Sequence, residues 1–125
     1  MKSEGLLLLC SYSRAFQMFQ DSVSQHGFVP IPCFTLQEAE SAISERELAA
    51  VVCSGQVLDG TYHRLFEFLA HAGKTLPVFV VLSDCAPAQR AEAERLGAVA
   101  CMPRPVSQSD VEQVVGAIAR HVGRD

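Results

Sequence analysis

Much that would identify a chain at a glance is missing from these 125 residues. There is no run of basic residues and the formal charge is −4, so the long-range field repels a phosphate backbone and direct nucleic-acid binding is not expected. No apolar run is long enough to span a bilayer, Leu6 to Leu9 being far too short, and no membrane association is expected. The residues before it, Met1-Lys2-Ser3-Glu4-Gly5, lack the length and cleavage pattern of a secretion signal, and the expected location is the cytoplasm. The five cysteines are odd in number and no pair has CxxC spacing, which argues against a disulfide framework and for reduced thiols. No internal repeat, low-complexity stretch or linker-like cluster interrupts the chain, so a single domain over 1–125 is expected. After the first apolar run, Cys10-Ser11-Tyr12-Ser13 offers small hydroxyls but no glycine, which leaves a nucleotide or flavin site without its phosphate loop.

What is present is an alternation. With 49% hydrophobic residues the chain can bury a core without disulfides or metal. Short apolar runs at Leu6–Leu9, Phe28–Phe34, Leu48–Cys53, Val78–Leu82 and Val99–Met102 have the length and β-branched content of strands, and several lack the polar alternation of a half-exposed sheet. Between them lie helical patterns. Phe16, Phe19 and Val23 share a face of a helix running from near Ser13 to Gly27, and Leu36, Ala39 and Ile43 share another after Thr35, where Glu38 completes a capping box. Tyr62, Leu65, Phe66 and Leu69 stripe a third helix closing at Gly73, and an alanine-rich fourth spans about Pro87 to Leu96 with Gly97 as its left-handed cap. Val111, Val114, Val115, Ile118 and Val122 define the fifth, with Ser107 or Ser109 as its cap. Five strands alternating with five helices through short loops imply right-handed βαβ crossovers and a parallel sheet covered on both faces. Chemistry on such a sheet sits beyond the carboxyl ends of the strands.

At this point the chain resembles the receiver domain of two-component response regulators over essentially its whole length. The likeness rests on Leu96-Gly97-Ala98-Val99-Ala100-Cys101-Met102-Pro103-Arg104-Pro105, similar to the receivers' Gly-Ala lead into the fifth strand and their terminal Lys-Pro. It rests also on Val51-Val52-Cys53-Ser54-Gly55-Gln56-Val57-Leu58-Asp59-Gly60-Thr61, similar to the third strand and its turn, and on Val80-Val81-Leu82-Ser83, similar to the fourth strand with its terminal hydroxyl. The fold that the resemblance implies is a flavodoxin-like (βα)5 sandwich, a five-stranded parallel sheet of order 2-1-3-4-5 with helices on both faces. It also implies roles. Cys10 and Ser11 fall where receivers keep the acidic pair that binds Mg²⁺, Ser54 on the phosphate-accepting aspartate, Ser83 on the Thr/Ser, Arg104 on the lysine, and Cys101 on the switch aromatic. A thiol and hydroxyls cannot hold Mg²⁺, which needs charged oxygens, and serine is a weak nucleophile without a neighbouring base. The expectation is therefore a degenerate receiver: not an enzyme, with no catalytic residue, no metal and no cofactor. It would act as a phosphorylation-independent interaction module whose partners are a histidine kinase, an output domain or a second copy, met through the face of the fourth helix, fifth strand and fifth helix.

Alternatives stay open in the residues. Asp59 and Asp84 lie near the same rim and offer a displaced phosphoacceptor; otherwise Asp84 pairs with Arg104 and Asp59 caps its own Asp-Gly turn. Cys10, Cys53, Cys85 and Cys101 fall near strand ends, which would suit a flavodoxin-like ligand or redox module, but no pair has tight ligand spacing and Cys10 and Cys53 read as strand-interior residues. His26, His71 and His121 sit in last helical turns, where an imidazolium suits the helix dipole, and His63 is expected to face solvent.

Overall fold

The computed structural model describes residues 4–10, 14–83, 85–103 and 106–122. Strands β1 (Gly5–Leu9), β2 (Val29–Cys33) and β3 (Leu48–Ser54) alternate with helices α1 (Arg14–Gln25) and α2 (Leu36–Glu45). A two-stranded hairpin follows, β4 (Gln56–Val57) and β5 (Gly60–Thr61), then α3 (Tyr62–Ala72), β6 (Val78–Leu82), α4 (Pro87–Leu96), β7 (Ala100–Pro103) and α5 (Gln108–His121). The main sheet is parallel throughout, in the order β2-β1-β3-β6-β7. Numbered among its own five strands this is the expected 2-1-3-4-5. Sequence reading set Phe28 and Phe34 inside the second strand and Val99 at the start of the last; all three flank those strands instead, with Phe34 packed against Phe16 at a ring separation of 5.7 Å. The hairpin β4–β5 occupies what the sequence marks only as a turn, since two-residue strands leave no readable period.

Burial explains the all-apolar strands. Leu6, Leu8, Ala50 and Val52 point to a layer with Phe16, Phe19 and Val23 of α1 and Val111, Val115 and Ile118 of α5, while Leu7, Leu9, Val51 and Cys53 point to the opposite layer with Leu36 and Ile43 of α2 and Leu65 of α3. The pleat sends successive residues to opposite faces, so a strand with helices on both sides must be apolar at every position. Of the aromatics on α1 and α3, Phe16, Phe19 and Tyr62 are buried, whereas Phe66 and Phe68 only pack against the core's edge. The edge strand β2 carries Pro30 and Pro32 at alternate positions. Val29 donates to the Glu4 carbonyl and the Cys33 carbonyl accepts from Cys10, so odd residues serve the ladder with β1 and the missing proline N–H groups lie on the outer edge.

Helix ends follow the chemistry of their caps. Thr35 and Glu38 form the expected capping box on α2, and Ser107 with Asp110 forms one on α5, which resolves the choice between Ser107 and Ser109. Gly73 and Gly97 close α3 and α4 with φ of 66° and 118°. No helix of the described residues is long and apolar enough to cross a membrane.

Candidate functional site

The fold brings the carboxyl ends of β1, β3, β6 and β7 to one rim. Leu9 pairs with Cys53, Ser54 with Val81 and Leu82 with Pro103, so Cys10, Ser54 and Ser83 stand at the ends of three adjacent strands. Ser11, Asp84 and Arg104, the other residues that sequence assigns to this rim, lie outside the described residues. Cys10 is half-buried just past the end of β1 and so is not the strand-interior residue expected, whereas Cys53 is fully buried within β3. Burial pushes the Cys53 thiol up to about 12, aided by the nearby Cys10 sulfur. Ser54 is 4% exposed and Ser83 is exposed. Beside them opens a shallow cleft of about 610 Å³, floored by Val81 and Leu82 and edged by Gly55, Leu58, Ser83 and Gln89; Ser54 is not in its lining. The described donors at these strand ends are a thiol and two hydroxyls, a set that does not fit Mg²⁺. Among the described residues no three of His, Cys, Asp and Glu converge as metal ligands.

Asp59 does something other than cap its own turn. The hairpin carries it to the amino end of α2, where its Oδ1 accepts from the Leu36 N–H at 2.7 Å and its Oδ2 from the Gln37 N–H at 3.2 Å. Thr35 Oγ1 takes the Glu38 N–H, and Glu38 reaches back to the N–H groups of Phe34 and Thr35. The first turn of α2 thus has its orphan donors answered from two directions. The Leu36 N–H bond, then those from Gln37 and its own amide, hold the Asp59 carboxyl below the usual carboxylate range, with Arg64 adding to the effect. Gly60, with φ of 153°, makes the approach feasible, because a Cβ there would stand 2.8 Å from Leu36 Cδ1.

His63 is not simply turned to solvent. Its Nε2 lies 2.6 Å from Glu92 Oε1, Tyr62 OH donates to the same oxygen at 3.4 Å, and Thr61 Oγ1 sits 3.1 Å from His63 Nδ1, so the start of α3 is tied to the middle of α4. The bond to His63 holds the Glu92 carboxyl below its usual range. Of the histidines read as lying in last turns, His71 and His121 do, and His26 stands one residue past α1, its Nδ1 2.9 Å from the Ser22 carbonyl oxygen.

Cysteine spacing along the chain gives no hint of the closest thiol pair. Cys85, half-buried between β6 and α4, has its sulfur 2.8 Å from that of the buried Cys101 in β7. The pairing was nonetheless implicit in the topology, because Cys101 lies on the strand next to β6 and Cys85 three residues past the end of β6. His63 with Glu92, and Asp59 with the backbone of α2, had no comparable signal, being contacts between residues 29 and 23 positions apart.

No family profile matches the chain, and no curated protein does. Solved structures do. A two-component response regulator from Clostridium difficile superposes with a TM-score of 0.83 at 15% identity, covering 97% of this chain and 99% of that one. The receiver domain of a Francisella response regulator gives 0.80 at 17% identity over 97% and 99%. A CheY-like receiver domain from Methylobacillus flagellatus gives 0.77 at 20% identity over 94% and 99%. The fold of this chain is the CheY-like flavodoxin fold of response-regulator receiver domains.

Proposed function

We propose that residues 1–125 act as one receiver-like unit in two-component signal transduction, a cytoplasmic interaction module that works without aspartyl phosphorylation and without enzymatic activity of its own. The observation that carries this reading is Ser54: the residue ending β3, where a receiver's nucleophile would stand, is a buried hydroxyl outside the neighbouring cleft. A hydroxyl needs a base to become a nucleophile, and the carboxylate nearest in the chain, Asp59, has both oxygens committed to α2. Cys10 and Ser11 in place of an acidic pair remove the charged oxygens that Mg²⁺ requires.

Its partners are a histidine kinase, an output domain or a second copy, met through α4, β7 and α5. Supporting this is the character of that face: α4 buries only Ala93, and Val99 stands 56% exposed between α4 and β7. With Cys101 where receivers carry a switch aromatic, the coupling between rim and face is weakened and the module is held in one state. The test is incubation with acetyl phosphate and Mg²⁺ followed by intact-mass measurement, expected to leave the mass unchanged. A Mg²⁺-dependent, hydroxylamine-labile phosphate adduct overturns the reading. Its loss in Asp59→Asn or Asp84→Asn would assign it to a displaced acceptor.

A further inference from the structure

Two thiols 2.8 Å apart, one in a strand and one in the loop before α4, are an arrangement that plain burial of small apolar side chains does not require. Cys101 is fixed in β7, its backbone paired with Val80, and is 9% exposed; Cys85 lies in the segment leading into α4 and is half-buried. Their sulfurs need approach by only about 0.8 Å to reach the ~2.05 Å of a disulfide. The two partners have unequal surroundings. Burial, then the contact with Cys85, pushes the Cys101 thiol up to about 12. Arg90 and Glu94, one turn apart on α4, both act on Cys101 electrostatically, with opposite signs.

We propose that Cys85 and Cys101 are a modification site, a dithiol that a peroxide converts reversibly into an intramolecular disulfide. The sulfur of Cys85, the less buried of the two residues, attacks one peroxide oxygen and the O–O bond breaks, giving a sulfenic acid and one water. The Cys101 sulfur then attacks the Cys85 sulfur, the S–O bond breaks, and the departing hydroxide leaves as a second water with the Cys101 proton. Two thiols lose two electrons and two protons, and the peroxide is reduced to two waters. A dithiol reductant reverses the change by thiol–disulfide exchange. The ring so closed contains all of α4, since its ends are Cys85 before the helix and Cys101 after it. Oxidation would therefore pin the amino end of α4 to the sheet. The site draws on these side chains alone and stands whether or not the chain is phosphorylated.

Trypsin separates the question cleanly, because each of the five cysteines falls in its own tryptic peptide, Cys85 in 75–90 and Cys101 in 96–120. Treatment of the whole folded protein with hydrogen peroxide is expected to remove two hydrogens from the intact mass, to join peptides 75–90 and 96–120, and to be undone by dithiothreitol. Cys85→Ser and Cys101→Ala should each abolish the joined peptide, and Cys101→Ala should leave peptide 75–90 gaining oxygen instead. Circular dichroism of both variants is the check that they remain folded. The proposal fails if wild-type peptide 75–90 gains oxygen or stays reduced while unjoined to 96–120, or if the bond forms between the peptides of Cys10 and Cys53.

Discussion

Asp59 is a residue whose sequence context and structural role diverge. Its Asp-Gly setting is that of a self-contained turn, yet its carboxylate serves a helix 23 residues earlier in the chain. The two N–H bonds from α2 favour the ionised form, so its folded pKa lies below the 3.8 of the free side chain. A depressed carboxylate contributes stability that is fully present above the unfolded value and disappears as pH falls through the folded one. Asp59→Ala is therefore expected to melt at lower temperature than wild type at neutral pH, with the gap closing as both are acidified below 3.8, read from thermal unfolding across that range. A gap that stays constant with pH would mean that the carboxylate contributes packing rather than charge.

At the scale of elements, legibility tracked how local the cause is. The five long helices and five main strands were readable because amphipathic period and apolar run length are properties of neighbouring residues, and the α2 capping box needs only Thr35 and Glu38. The hairpin β4–β5 was not readable, because each strand has two residues, and the clamp from His63 to Glu92 depends on how α3 and α4 pack. The strand-end residues of the candidate site were placed by topology, but Cys85 against Cys101 required the register of β6 and β7 as well. One element carries a local conflict. Ser22 of α1 is 1% exposed and its hydroxyl has no hydrogen-bond partner among the described residues, so it bears a desolvation cost and lower helix propensity than alanine. Ser22→Ala is expected to stabilise the protein by about 1 kcal/mol, seen as a higher urea midpoint at unchanged slope. A lower midpoint would show that the hydroxyl satisfies a bond in solution.

Taken whole, the molecule has a packed core on each face of its sheet. At the end of β3, Cys53 and Ser54 are buried, and among the described residues Cys10, Ser54 and Ser83 bring no carboxylate to the ends of β1, β3 and β6. Any ligand that binds the native state alone raises its stability by mass action, by about 2.7 kcal/mol at a concentration a hundredfold above its dissociation constant. For a chain of this size that would lift the melting temperature by roughly 10 °C. On the proposed reading, Mg²⁺ has no such site, and melting curves in MgCl₂ and in NaCl of equal ionic strength should coincide. A rise specific to Mg²⁺ would reveal oxygen donors at the rim beyond Cys10, Ser54 and Ser83. Its disappearance in Asp84→Asn would trace it to the aspartate that follows Ser83 in the chain.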